Sequence, residues 1–304
     1  MNGKTLWMII FGLVIINCFT VGYFVTKGGF VSAGAGSGHG GEEIASIGSE
    51  KITRSEWLAE LENRYGKETL EEMINTKVVE ELAAKHKISV SDKVIDRELK
   101  MFKAMYNSFD NQKFENEEKW RDQIRYSILL EELLTRDVVV QEEEVRKFYE
   151  NNQELYQIED TYHLSHIAVK SEEEAKNVLK ELAGGSSFEA IAAERSIDEF
   201  SASEGGDLGF VSAADEYLPS EYIEHAKILE ENMWSKDPIK TDAGYAILLV
   251  QEKIKGKQFG FDEVKQQIKR QIALEQMEGN VSVKPLWEEV EVEWFYGTKK
   301  NETK

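Results

Sequence analysis

Three glycines lie close together in the run SEGGDLGF, from Ser203 to Phe210, and this run constrains the fold more than any other part of the sequence. Glycine adopts left-handed backbone dihedrals that other residues avoid, so the run predicts a tight turn that continues into a strand. Further along, the segment from Asp237 to Val250 reads DPIKTDAGYAILLV, which predicts a second turn that leads into an apolar strand. The middle of the chain should therefore contain a sheet.

The residues around these turns predict one compact α+β domain over residues 158–254. Its first strand should run from Tyr162 to Lys170 and its last from Gly244 to Gln251. Two helices should follow the first strand, because Ser171 and Ser186 each precede a Glu by three residues, which is the pattern of a capping box. The predicted order is strand, helix, helix, glycine turn, strand, helix, strand.

A third piece, HLSHIAVKSEEEA from His163 to Ala175, precedes both turn segments. The three pieces, in this order and at this spacing, resemble the parvulin family of peptidyl-prolyl isomerases. The resemblance implies an enzyme that rotates X-Pro peptide bonds. It also implies a site, in which the catalytic positions match His166, Asp198 and Thr241 and the substrate-binding positions match Leu208, Tyr217 and Tyr222.

This reaction needs no nucleophile, metal or cofactor. The barrier to rotation is about 18 to 20 kcal/mol and comes mainly from the loss of amide resonance. An apolar pocket can lower it by holding the proline ring, removing water from the amide and presenting a few polar groups. The pair His163 and His166 does not indicate a metal site, because residues three apart on a strand point to opposite faces.

Two residues depart from the parvulin pattern. The last strand typically reads Gly-Tyr-His or Gly-Ile-His, and here Ala246 takes the place of that second histidine. Val211 stands where an aromatic residue is usual. Two functions therefore remain open: a peptidyl-prolyl isomerase, or a catalytically silent domain of a holdase that only binds unfolded clients.

The N-terminus predicts a membrane segment. The residues from Leu6 to Val25 contain no Asp, Glu, Lys, Arg or His, and about 20 such residues can cross a bilayer. Because Lys4 precedes the apolar run, we expect residues 1–27 to form a single-pass anchor in the cytoplasmic membrane, with the N-terminus inside and the rest extracytoplasmic. A cleaved signal sequence is an alternative. So is a lipid on Cys18, although Asn17 precedes it where a lipobox has Gly, Ala or Ser.

The overall charge argues against nucleic acid as a partner. The chain has 37 basic and 57 acidic side chains and a net charge of -20, which repels phosphate backbones. Apolar residues make up 41% of the sequence, enough for packed cores.

Flanking segments complete the predicted organisation. Residues 28–41 are half glycine and predict a flexible linker. Residues 42–157 predict an all-helical module, whose first helix should begin at a capping box on Thr53 and end at Gly66. Residues 255–304 predict a helix and a strand that cannot bury themselves alone, so they should pack on the helical module.

This arrangement resembles the SurA and PrsA class of foldases. The resemblance implies that the partners are unfolded or newly exported proteins with X-Pro bonds. The apolar faces of the helical module could build either a cradle for such clients or a homodimer, and periodicity does not separate the two.

Overall fold

A computed structural model describes residues 42–105, 116–215, 218–277 and 282–297. The predicted membrane segment and linker lie outside these ranges. No helix within them is long and apolar enough to cross a membrane. The described residues combine helices and strands, so the predicted mixed class is confirmed.

In chain order the elements are β1 (Glu43–Ile47), β2 (Glu50–Thr53), α1 (Arg54–His86), α2 (Asp92–Met105), α3 (Glu117–Thr135), α4 (Glu142–Asn151), β3 (Gln157–Ile158), β4 (Thr161–Val169), α5 (Glu172–Ala183), α6 (Phe188–Arg195), α7 (Glu199–Ala202), β5 (Asp207–Ser212), α8 (Ser220–Ile228), β6 (Met233–Trp234), β7 (Ile239–Thr241), β8 (Gly244–Ile254), β9 (Lys257–Gln258), α9 (Phe261–Gln276) and α10 (Lys284–Trp287). Short 3-10 turns follow α4 and α10.

The chain divides into two compact units. The first comprises Met1–Val90, Asp122–Asp137 and Met277–Lys304, and the second comprises Ser91–Arg121 and Val138–Gln276. The second unit therefore holds the α+β segment together with α2, α4 and α9. The domain boundaries that the sequence suggested stay predictions.

In the first unit, the antiparallel hairpin of β1 and β2 leads directly into α1. The predicted capping box on Thr53 is confirmed, since its side chain accepts the Glu56 amide while the Glu56 carboxylate accepts the Thr53 amide. The C-terminal part of α1 packs with α3 and α10 around a small apolar core that includes Leu82, Leu133 and Trp287. This core anchors only one end of α1.

Two predictions for the first unit were wrong. The helix does not end at Gly66 but continues to His86. The site is closely packed, because a Cβ at Gly66 would lie 3.0 Å from Glu62 Cγ and 3.1 Å from the Tyr296 hydroxyl. The predicted C-terminal strand over 290–296 is a 3-10 turn followed by irregular backbone. Its alternating apolar residues pack into the same core, where Trp287 and Trp294 meet edge to face at 5.3 Å.

The second unit is built on an antiparallel sheet with the order β5-β4-β8-β6, and β7 also pairs with β8. Helices α5 and α6 cover one face through an apolar cluster around Ile167 and Ile247. Helix α8 covers the other face, above Leu164 and Leu248. Because both faces are covered, most residues of β4 are buried.

A third apolar cluster joins the sheet edge to α4 and α9, two helices outside the predicted α+β segment. Phe210 of β5 packs with Val145 of α4 and with Ile268 of α9. The predicted helix after residue 260 is confirmed as α9, and it packs on α4. The capping box on Ser171 is confirmed, whereas the next helix is capped by Ser187 instead of Ser186, with the Ala190 amide as donor.

Candidate active site

A hydrogen-bonded network surrounds His166 in β4. The ring is buried, with 7% of the residue exposed. Its Nδ1 lies 2.7 Å from the hydroxyl of Tyr222 in α8. Its Nε2 lies 2.8 Å from Asp198 Oδ2 and 3.2 Å from Ser201 Oγ. The loop after α6, the sheet and α8 thus meet at one imidazole.

The protonation of the network follows from its partners. Hydrogen bonds from His166 and then from Ser201 hold the pKa of Asp198 well below its usual range, against the opposing effect of burial. Asp198 is therefore an ionised acceptor at neutral pH. Burial, and then the charge of Asp198, raises the pKa of Tyr222, so that hydroxyl keeps its proton.

Local sequence explains how Asp198 reaches the histidine. Asp198 is the N-cap of the short helix α7, and its Oδ1 accepts the amide of Phe200. Residues three apart share one face of a helix, so Ser201 donates its hydroxyl to Asp198 Oδ2 at 2.6 Å. The capping residue is held at both oxygens, which fixes the carboxylate towards His166.

The glycine turn holds this loop against β4. The His166 amide donates to the Gly206 carbonyl at 2.8 Å. Gly206 has φ of 81°, and a side chain there would overlap the carbonyl oxygen of His166. Only glycine permits this approach. The turn that the sequence singled out is therefore a structural requirement for the position of His166.

An apolar wall lies beside the network. Leu208 and Leu218 are partly buried against the cluster under α8, so each keeps accessible surface. Val211 in the same cluster is fully buried. The accessible part of this wall includes the side chains of Leu208 and Leu218, and the predicted contact of Leu208 with substrate stays a prediction.

The remaining predicted site residues have different surroundings. Thr241 lies in β7 two residues after Ile239, and its hydroxyl donates to the Gly244 carbonyl at 3.4 Å instead of to the histidine network. Tyr217 lies outside the described residues. The Tyr222 residue is 2% exposed, so it offers a substrate little surface. Its predicted contact with substrate stays a prediction.

The strand register places Ala246, one of the two departures from the family pattern. His166 pairs with Leu248, and Ala168 pairs with Ala246, so Ala246 is the diagonal neighbour of His166 on the same face. Ala246 is fully buried among the residues under α8. A histidine at this position would point into an occupied interior.

His163 belongs to a separate pair. Its Nε2 lies 2.8 Å from Asp207 Oδ1, and its ring stacks on Phe210 with centroids 4.7 Å apart. Asp207 also accepts the amide of Gly209, so this pair braces the glycine turn.

Ser201 was missed by the sequence interpretation. The signal that could have found it is its spacing of three from Asp198, once Asp198 is taken as a helix N-cap. A serine in an irregular run carries no such indication without that helix boundary.

Comparison with known proteins gives the family. Residues 140–266 match the model of the PPIC-type PPIASE domain. Over 98% of this chain and 99% of the relative, the sequence is 52% identical to "Putative peptidyl-prolyl cis-trans isomerase YacD" of Bacillus subtilis (strain 168). The chain belongs to the PPIC-type peptidyl-prolyl isomerase family. It is also 35% identical to the foldase protein PrsA of Geobacillus kaustophilus, over 77% of this chain and 80% of that protein.

A solved structure of PrsA from Bacillus subtilis covers 86% of this chain and 97% of its own, at 25% identity. Its TM-score of 0.32 is too low to bear on the fold.

The candidate site has a buried part, the His166 ring, and a more exposed part, the Asp198 carboxylate. The side chain of Asp198 is 25% exposed, against 9% for His166. Asp198 is thus the more accessible group of the network, and it lies beside the partly exposed leucine wall. This pairing of a desolvating wall with a fixed charge suits bond rotation, which transfers no group.

Proposed function

We propose that the protein is a peptidyl-prolyl isomerase and foldase that acts on unfolded exported proteins outside the cytoplasmic membrane. The observation that carries this proposal is the closed network of His166, Asp198 and Ser201 beside the leucine wall. Family membership gives the reaction class. The histidine network is complete although Ala246 replaces the second family histidine, which favours an active site over a silent one.

The test is the rate of proline-limited refolding and of X-Pro exchange in a short peptide, both with the purified full-length chain. Wild-type protein should accelerate both. Asp198→Asn should lose at least about tenfold in rate, because it removes the charge from two hydrogen bonds in the network. Glu199→Gln is the matched control, since this neighbouring carboxylate is exposed. A wild-type rate equal to that of buffer would disprove the isomerase function.

The second candidate, a holdase that only binds clients, is favoured by exposed apolar side chains in the first unit. Ile47 is 68% exposed, Trp57 45% and Met73 61%. Together with Ile44, Leu58 and Tyr65 they lie on the hairpin and on the part of α1 before its buried residues, which begin at Val78. Such a surface can hold unfolded segments. Prevention of aggregation without acceleration of peptide exchange would identify a pure holdase.

A homodimer is the competing use of this surface. Sedimentation of the full-length chain separates the two uses, since a dimer would depend on protein concentration and not on clients. A mutation of Ile47 that weakens self-association would favour the dimer.

The proposed location rests on the apolar run from Leu6 to Val25, which follows Lys4. We propose that it anchors the chain in the cytoplasmic membrane with the folded units outside. Protease added to intact protoplasts should digest the chain after residue 41. Protection from that protease would disprove the orientation.

A further inference from the structure

Tyr222 contacts His166 through both its ring and its hydroxyl. The residue is 2% exposed, and its ring meets the His166 ring edge to face, at 5.6 Å between centroids and an interplanar angle of 78°. The hydroxyl lies 2.7 Å from Nδ1. A buried hydroxyl needs a hydrogen-bond partner, and this one has an imidazole nitrogen.

The direction of each hydrogen bond follows from the other end of the network. Asp198 is ionised and can only accept, so in the neutral ring Nε2 carries the proton and donates to Oδ2. Nδ1 then has a lone pair and no proton. The Tyr222 hydroxyl therefore donates to Nδ1, while the Ser201 hydroxyl donates to Asp198.

We propose that the Tyr222 hydroxyl is a positioning group, which selects the Nε2-protonated tautomer of His166 and fixes the rotation of its ring. This inference rests on the proposed isomerase function and adds a residue to it. Tyr222 acts through His166, because its own surface is closed to a peptide. Within the described part of the chain, Asp198 and Ser201 both contact the Nε2 side, so Tyr222 alone holds the Nδ1 side.

The tautomer of His166 determines whether the ring can donate a hydrogen bond to Asp198. A ring in the other tautomer presents a bare Nε2 lone pair to the carboxylate, and two acceptors repel each other. Asp198 Oδ2 would then lose its hydrogen bond to the imidazole and keep the one from Ser201, so the carboxylate would be held less firmly in the orientation in which a peptide meets it. The Tyr222 hydroxyl should therefore affect turnover and not peptide binding.

The experiment compares Tyr222→Phe with Tyr162→Phe in the full-length chain. Tyr162 is a matched control because it is buried in the same apolar cluster but lies outside the histidine network. With 15N-labelled histidine, the nitrogen resonances report which ring nitrogen carries the proton. Wild type and Tyr162→Phe should show Nε2–H, and Tyr222→Phe should show both tautomers. The kcat of Tyr222→Phe should fall about three- to tenfold with KM within about twofold, as expected for one buried hydrogen bond.

An unchanged tautomer together with an unchanged kcat in Tyr222→Phe would overturn the inference, and so would Nδ1–H in the wild type. If Tyr222→Phe does not fold, 3-fluorotyrosine at position 222 replaces it, because fluorine makes the hydroxyl a stronger donor and keeps the ring. The Nδ1 resonance should then move, and a resonance that stays in place refutes the hydrogen bond. A wild type without isomerase activity refutes the proposed function, while the tautomer measurement still decides the role of Tyr222.

Discussion

Ala246→His tests whether the site is a weakened form of the family pattern or a differently completed one. The substitution restores the second family histidine at the diagonal neighbour of His166. If the native site merely lacked a residue, activity should rise. The structure leads us to expect the opposite.

Two features oppose the new side chain. Ala246 is fully buried and pairs with Ala168 in the sheet, while Ile239 packs from β7, so an imidazole overfills the cluster. Overpacking of this kind costs about 1–3 kcal/mol. In addition, Nδ1 of His166 has a single lone pair, which already accepts from Tyr222. The added histidine would be buried without that acceptor, at a further cost of about 1–3 kcal/mol.

Summed, these effects predict a loss of about 2–6 kcal/mol in the free energy of unfolding and no gain in isomerase rate. Urea unfolding followed by circular dichroism gives the first quantity, and peptide exchange gives the second. Adding Tyr222→Phe should release the lone pair, so the double variant should recover part of the lost stability, with a coupling energy of about 0.5–3 kcal/mol. A single variant that is more active than wild type at unchanged stability would refute this reasoning.

The other predictions concern separate parts of the chain. The pKa of Asp198 is lower in the folded than in the unfolded protein. The ionised carboxylate therefore contributes stability above the ordinary Asp pKa of about 4, and this contribution is lost as the pH falls below that value. Urea unfolding of Asp198→Asn should accordingly match wild type more closely at acid pH than at neutral pH. Gly206→Ala should lose clearly more stability than Gly185→Ala. Both glycines have positive φ, but a side chain at position 185 meets open space whereas one at position 206 meets the backbone of β4. Equal losses of stability would contradict the overlap. Ile47→Ser should weaken suppression of client aggregation and leave peptide exchange unchanged, whereas Val139→Ser, a still more exposed site in the other unit, should change neither.

Much of the α+β unit could be predicted from the sequence because its signals are local. The capping box on Ser171, the turn around Gly206 and the apolar strand after Gly244 each depend on a few adjacent residues. His166 and Asp198 were found through the family resemblance, and the structure joins them at 2.8 Å.

What could not be predicted depends on contacts distant in sequence. Glycine commonly follows a helix end, yet Gly66 lies within α1 and close to Tyr296, a residue far later in the chain. The alternation from Val290 to Tyr296 has the period of a strand, but Val290, Val292 and Trp294 pack on the core from a 3-10 turn and irregular backbone. A sequence pattern indicates which side chains are buried, but it does not determine the backbone conformation of that segment.

The same distinction bears on Ala246, because of which the isomerase and the silent holdase both stayed open from the sequence. Comparison with a family pattern treats each position separately, so a missing histidine leaves the function undecided. In the proposed arrangement His166 needs a donor at Nδ1 and an acceptor at Nε2, and the donor can come from any element that reaches Nδ1. Tyr222 of α8 provides this donor, and it lies in the same buried cluster as Ala246 of β8. A histidine at 246 would enter that packed cluster, so we expect the two positions to be exchanged together.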